Sequence, residues 1–104
     1  MITSADITVE ELIERLDKGE TPVIIDVRED WEYQESNIAG AQNIPLGTLP
    51  QKVADLEDLK DREVIVQCRS GARSANAKAF LQQQGFNNVR NLLGGILAYN
   101  KAQG

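Results

Sequence analysis

Two short apolar runs, each followed by a helix-like segment, constrain the fold of this chain more than any other feature. The runs are PVIIDV at residues 22–27 and EVIVQC at residues 63–68, and both are nearly continuous rather than alternating. Such runs are typical of parallel strands that are buried on both faces of a sheet. They predict an α/β fold in which helices cover both faces of the sheet.

The segments around these runs follow the same alternation. In the segment before the first run, Thr8 is predicted to cap a helix, Glu11 to complete a capping box and Gly19 to end the helix. Further strands are predicted within residues 41–46 and 88–92. Further helices are predicted within residues 29–36, 48–59, 73–85 and 96–103.

Length and charge narrow the class of protein. The chain has 104 residues without a repeat or linker, so we expect a single domain over residues 1–104. Its net charge of −5 argues against a nucleic-acid-binding face, which needs clustered lysine and arginine. No segment approaches the ~18 apolar residues of a membrane span, and the first residues resemble neither a signal peptide nor an anchor. We therefore expect a cytoplasmic protein without nucleic-acid or membrane partners.

The residue inventory excludes several kinds of chemistry. The chain contains no histidine, which removes Cys–His and Ser–His hydrolase schemes. Cys68 is its only cysteine, so no internal disulfide can form. Cys68 would also be the only thiolate for a metal site. The sequence therefore predicts neither a metal nor another cofactor.

Cys68 lies where an α/β sheet places its reactive groups. It ends the second apolar run, in the stretch VIVQCRSGARSANAKAF (residues 64–80), and a helix pattern follows it. A free thiol has a pKa of about 8.5, and only the thiolate is a good nucleophile. A helix N-terminus and the backbone amides of the loop, with Gly71 permitting a tight curl, would lower that pKa. A small anion would be captured by the same groups.

Two arginines follow the cysteine, and they favour a reactive Cys68 over a cysteine that only packs in the core. A lone cysteine at a strand end is most often inert packing. Arg69 could be an ordinary surface charge, whereas Arg73 lies in the first helical turn, where the helix dipole disfavours a cation. We therefore expect Arg73 to meet an anion and Arg69 to matter somewhat less. Without a histidine base, the best substrate is one whose leaving group needs no proton, such as sulfite leaving from thiosulfate.

Two longer stretches resemble the single-domain rhodaneses, the thiosulfate sulfurtransferase family. They are IIDVREDWEYQESNIAGAQNIPL (residues 24–46) and VIVQCRSGARSANAKAFLQQQGFNNVRNLLGG (residues 64–95). The resemblance implies a central parallel sheet of five strands with helices on both faces. It also implies that Cys68 is the nucleophile and carries sulfur as a persulfide. The cradle around that sulfur would then be formed by Arg69, Ser70, Gly71, Ala72 and Arg73.

The resemblance implies a sulfurtransferase that moves sulfur through a Cys68 persulfide. The donor would be a small anion such as thiosulfate, or a persulfide, and the acceptor cyanide, a thiol or a sulfur-accepting protein. A persulfide carrier or interaction module is the alternative. A cysteine phosphatase or arsenate reductase is disfavoured, because the loop places four residues rather than five between Cys68 and Arg73.

Some positions depart from the family pattern or have open roles. The family often has histidine where this chain has Asn37 and tryptophan where it has Tyr99. Arg28 is expected to pair with a nearby acid such as Glu32. Trp31 is expected either to line the mouth of the pocket or to cover the core.

Overall fold

The sheet is parallel, as predicted. A computed structural model describes residues 4–104, so the first three residues of the predicted domain lie outside the described part. The strands pair side by side in the order β2-β1-β3-β4, with β1 and β3 at the centre. Their bounds are β1 Val23–Asp26, β2 Gln42–Asn43, β3 Val64–Gln67 and β4 Val89–Asn91.

The prediction of a fifth strand is wrong, because the described residues form a sheet of four strands. A single parallel bridge between Ile7 and Leu92 stands where a further strand would lie beside β4. Ile7 exchanges backbone hydrogen bonds with Asn91 and Leu93. The chain then enters a helix at once, because Thr8 is already the N-cap. The pairing therefore cannot continue beyond Ile7 in the direction of the helix.

In the described part of the chain, five α-helices surround the sheet. The cap of the first is confirmed, since the Thr8 hydroxyl accepts a hydrogen bond from the backbone of Glu11. The Glu11 carboxylate bonds Arg90, however, instead of returning to the cap. The helices are α1 Val9–Asp17, α2 Asp30–Glu35, α3 Leu49–Lys52, α4 Ala72–Gln83 and α5 Gly95–Gln103.

The predicted helix over residues 48–59 is only partly α-helical. After α3 the chain continues as a 3₁₀ helix over Val53–Leu59. Val53, Leu56 and Leu59 all pack against one core cluster. A spacing of three residues matches the three residues per turn of a 3₁₀ helix, so this winding brings all three side chains to the same side.

Side chains of the central strands alternate between two cores, one on each face of the sheet. On one face, Val64 and Val66 pack with residues of α3, the 3₁₀ helix and α4. On the other face, Ile24 and Ile65 pack with residues of α1 and α5. The predicted helices on both faces are therefore present. Because both faces are covered, the open positions lie at the ends of the strands.

Candidate active site

Cys68 follows β3 directly and lies beneath a tight loop. Gly71 has a left-handed backbone, with φ of 113°, and α4 begins at the next residue. This curl brings the Gly71 amide to 3.1 Å from the Cys68 sulfur, to which it donates a hydrogen bond. The Ser74 hydroxyl lies 3.2 Å from the same sulfur. Cys68 is only 1% exposed, so its thiol is accessible to small, narrow reactants alone.

The loop stabilises the thiolate of Cys68. Burial alone raises the pKa of this thiol. Hydrogen bonds from the Ser74 hydroxyl and from the backbone amides of Ser74, Gly71 and Ser70 outweigh that effect, so the pKa of Cys68 lies below its ordinary value. This agrees with the expectation that backbone amides and the helix N-terminus would favour the charged sulfur.

Ser74 and Asn91 form a hydrogen-bonded support that the sequence did not suggest. The Ser74 hydroxyl lies 2.6 Å from Oδ1 of Asn91, and Nδ2 of Asn91 donates to the Gly71 carbonyl at 3.1 Å. A hydroxyl has one hydrogen, so it can donate fully either to the sulfur or to Asn91. When Cys68 is a thiolate, the negative sulfur is the stronger attraction for that hydrogen. Asn91 therefore both holds the loop and competes for the hydroxyl.

The start of α5 fixes the other side of the loop. Ile96 and Leu97 donate backbone hydrogen bonds to the carbonyls of Cys68 and Arg69, at 2.9 and 3.1 Å. The preceding pair is a turn with positive φ, 78° at Gly94 and 59° at Gly95. A Cβ atom on Gly95 would lie only 2.4 Å from the Arg69 carbonyl oxygen. Glycine is needed at position 95, because a side chain there would meet the backbone of the Cys68 loop.

Arg73 faces an anion, and that anion is part of the protein. Its guanidinium forms two hydrogen bonds with the Glu32 carboxylate, at 2.7 and 2.9 Å. These bonds lower the pKa of Glu32 to about 2 and raise that of Arg73. Arg28, which we expected to pair with a nearby acid such as Glu32, forms its ion pair with Asp26 at 2.7 Å. The Arg73–Glu32 pair therefore ties α4 to α2 beside the loop.

The remaining cradle residues lie on the outside of the loop. Arg69, Ser70 and Ala72 are exposed. Within residues 4–104, no carboxylate lies within ion-pair distance of Arg69. Trp31 is 64% exposed and borders a cleft next to Arg69, so it lines an opening instead of covering the core.

The two positions that depart from the family pattern lie away from the sulfur. Asn37 is exposed and donates a hydrogen bond to the Tyr33 carbonyl at 3.0 Å. Tyr99 is partly buried against the core on the α1 and α5 face. Neither side chain contributes to the hydrogen bonds described around Cys68.

Within residues 4–104, no group of three or more histidine, cysteine, aspartate or glutamate side chains is arranged to hold a metal ion. No helix of this part of the chain has the length and apolar character that crossing a membrane requires.

Comparison with known families gives a match over nearly the whole chain. Residues 8–102 match the model of the rhodanese-like domain. The chain belongs to the rhodanese-like family. Its fold supports this, since a rhodanese-related protein of Thermoplasma volcanium superposes with a TM-score of 0.81. That structure is 34% identical, and the match covers 94% of this chain and 92% of the other.

Sulfurtransferases are among the relatives of this rhodanese-like chain. A sulfurtransferase of Allochromatium vinosum is 39% identical over 94 residues, covering 90% of this chain and 86% of the relative. A putative sulfurtransferase, YtwF of Bacillus subtilis, is 40% identical over 94 residues, covering 90% and 88%. Other relatives are named as a tRNA uridine(34) hydroxylase and a putative sulfur carrier protein.

Proposed function

We propose that this protein is a thiosulfate sulfurtransferase that moves one sulfur atom through a persulfide on Cys68. The observation that carries the proposal is the set of donors aimed at the Cys68 sulfur, from the Gly71 amide and the Ser74 hydroxyl. They stabilise a thiolate without a neighbouring base, because the chain contains no histidine. Such a thiolate suits a leaving group that departs without a proton.

Transfer takes place in two displacements. The Cys68 thiolate attacks the outer sulfur of thiosulfate, the S–S bond of thiosulfate breaks, and sulfite leaves with the electron pair. The terminal sulfur of the persulfide then carries the negative charge. Cyanide or a thiolate attacks that terminal sulfur, the new S–S bond breaks, and the Cys68 thiolate is restored. Charge balances in both steps, and neither needs a metal or a redox partner.

We assign the cradle residues different roles in this reaction. The backbone amides of Ser70 and Gly71 donate to the sulfur, and each such bond to a charged acceptor contributes about 1.5–3 kcal/mol. Ala72 begins α4 and so brings the helix N-terminus to the loop. Arg69, which lacks a carboxylate partner within residues 4–104, meets the incoming anion. Arg73 acts through its pair with Glu32, by holding the loop between α2 and α4.

The test is whether Cys68 accepts sulfur from thiosulfate. We expect intact-mass spectra to show a gain of one sulfur atom after incubation with thiosulfate, and cyanide to remove it with formation of thiocyanate. Cys68→Ser is the control and should show neither event. An unmodified protein that never gains sulfur from thiosulfate would contradict the enzyme assignment.

A persulfide carrier for a partner protein is the second candidate. It is favoured by the name of one relative, a putative sulfur carrier protein, which is 34% identical to this chain over 91 residues. A carrier would hold the added sulfur stably, and excess thiosulfate and cyanide would give only weak turnover. Steady-state thiocyanate formation therefore separates the carrier from the enzyme.

Phosphatase chemistry is the least favoured candidate. Four residues separate Cys68 from Arg73, and the Arg73 guanidinium is occupied by Glu32. A phosphoryl group would thus find a smaller loop and no open arginine at the position that closes it. We expect no hydrolysis of aryl phosphates above the level of Cys68→Ser. The cytoplasmic location stays a prediction from the sequence.

A further inference from the structure

A cleft of about 340 Å³ lies beside the Cys68 loop, between α2 and α5. We call it the α2–α5 cleft, and its accessible wall includes Trp31 and Glu35 of α2, Leu97 and Asn100 of α5, and Arg69 of the loop. This volume lies at the small end of the range for binding sites of small molecules. It suits a compact ligand better than a protein surface.

Both walls of the cleft are attached to the loop that holds the sulfur. The α5 wall is joined by the hydrogen bond from the Leu97 amide to the Arg69 carbonyl, at 3.1 Å. The α2 wall is joined by the ion pair between Glu32 and Arg73, at 2.7 Å. A molecule bound in the cleft is therefore held at a fixed position relative to the residue that follows Cys68.

Two opposite charges face this cleft without neutralising each other. Arg69 and Glu35 are both exposed, and within residues 4–104 neither lies within 4 Å of an oppositely charged side chain. The other two charged residues of the lining, Arg28 and Glu32, are buried and already paired. The cleft thus offers one open cation and one open anion.

The apolar side chains of the wall strengthen the attraction between these two charges and a charged ligand. Trp31 is 64% exposed and Leu97 is 47% exposed. Among the described residues, the third large apolar side chain with comparable exposure is Leu93, at 47%, and it does not line the cleft. Apolar walls exclude water from a bound ligand, and charge–charge attraction grows as water is excluded.

We propose that the α2–α5 cleft binds the sulfur acceptor, and that this acceptor is a small thiol with both a carboxylate and an ammonium group. Arg69 binds the carboxylate, Glu35 binds the ammonium group, and the carbon chain lies against Trp31 and Leu97. The acceptor's thiol loses its proton to solvent, and its sulfur attacks the terminal sulfur of the Cys68 persulfide. The acceptor leaves as a persulfide, and the Cys68 thiolate is restored.

This inference rests on the proposed function, so its test begins after that function has been checked. The protein is loaded with thiosulfate, the excess is removed, and the persulfide is confirmed by intact mass. Four thiols of similar size then discharge it in single-turnover reactions. They are cysteine with both charges, 3-mercaptopropionate with the carboxylate alone, cysteamine with the ammonium group alone, and uncharged 2-mercaptoethanol.

The readout is the rate for each variant divided by the unmutated rate with the same thiol, which cancels differences in thiol reactivity. We expect Arg69→Ala to slow cysteine and 3-mercaptopropionate about tenfold, and the other two thiols less than twofold. Glu35→Gln should slow cysteine and cysteamine about fivefold and spare the two thiols without an ammonium group. Leu97→Ala should slow cysteine, while Leu93→Ala, which changes an equally exposed leucine outside the cleft, should not.

Two outcomes would overturn the inference while leaving the proposed function intact. One is that every thiol discharges the loaded Arg69→Ala and Glu35→Gln proteins at the unmutated rate. That result is expected if the acceptor is a protein, or if Arg69 binds only the donor. The other is equal slowing with all four thiols, which indicates a disturbed loop instead of charge recognition. A protein that never loads contradicts the proposed function itself.

Discussion

The two ends of the parallel strands carry charges in very different arrangements. At the amino ends, Arg15 forms two hydrogen bonds with Glu63, at 2.6 and 2.9 Å. Arg90 joins the same carboxylate at 3.0 Å and bonds Glu11 at 2.8 Å. At the carboxyl ends, the charges surround a thiol, and Arg69 has no carboxylate partner within residues 4–104.

The charges at the amino ends have a structural role, whereas the carboxyl ends keep a charge that is available to a substrate. At the amino ends, the four side chains of this network are already paired with one another, so the network contributes to stability. At the carboxyl ends the donors around Cys68 are fixed by buried contacts, and an exposed cation remains for substrate.

Replacing Gly95 by alanine should have the largest effect. The added Cβ would lie 2.4 Å from the Arg69 carbonyl and 2.5 Å from that of Cys68, so the loop must move. We expect sulfur transfer to fall about hundredfold or more, because displacements near 1 Å have that effect on catalysis. Gly47→Ala is the control, since no atom lies within 4 Å of its Cβ position. Transfer within threefold of normal in Gly95→Ala would mean that the loop is not held by α5.

Ser74→Ala should reduce the reactivity of the thiol. It removes the hydroxyl donor at 3.2 Å from the sulfur, so the pKa of Cys68 rises and less thiolate is present at neutral pH. We expect alkylation by iodoacetamide to slow about tenfold at pH 7, as for the loss of one hydrogen bond to a charged group. Ser70→Ala is the control, because Ser70 contributes its backbone amide and alanine keeps that group. If the thiolate titration of Cys68 were unchanged in Ser74→Ala, the backbone amides alone would stabilise the thiolate.

Glu32→Gln should change how stability depends on pH. The pKa of Glu32 is about 2 in the folded protein, against an ordinary value of 4.5, because Arg73 stabilises its charged form. Its contribution to the free energy of unfolding is therefore fully present above pH 4.5 and is lost as the pH falls towards 2. We expect about 1 kcal/mol, since Arg73 is partly exposed to solvent.

Urea unfolding at pH 6 and pH 3 measures this contribution. The unmutated protein should lose more stability between the two pH values than Glu32→Gln does. Glu35→Gln, which removes an exposed carboxylate without an ion-pair partner in the described chain, should behave like the unmutated protein. Equal losses in Glu32→Gln and the unmutated protein would show that the ion pair adds nothing to stability.

Glu63→Gln should have the smallest effect on transfer. It removes the acid shared by Arg15 and Arg90, and we expect the free energy of unfolding to fall by about 1 kcal/mol. Sulfur transfer should stay within twofold of normal, because this network lies at the opposite ends of the strands. A larger loss of transfer without unfolding would show that the two ends of the strands are functionally coupled.

Local pattern was sufficient to predict most of the architecture. The runs at residues 22–27 and 63–68 are the central strands, and the helix cap at Thr8 is present. The loop after Cys68 was predicted because glycine, helix start and strand end are adjacent in the chain. The number of strands was not, since it depends on whether the segment at Ile7 continues as a strand or turns into a helix.

The contacts that tune the site could not be predicted, because they join distant segments. Ser74 meets Asn91 across 17 positions, and Arg73 meets Glu32 across 41. From the sequence, Arg73 was expected to meet an anion and Arg69 to matter somewhat less. Which arginine has a carboxylate beside it depends on the packing of α2 against α4, and no local pattern contains that information.

The burial of Cys68 has a consequence for timing. Cys68 is 1% exposed and is the one thiol of the chain, so an added sulfur cannot move to a second cysteine within it. Under the proposed chemistry, each chain stores a single sulfur equivalent, and an outside acceptor must reach it before release. The lifetime of the stored sulfur is therefore inversely proportional to acceptor concentration, and the total store equals the number of chains present.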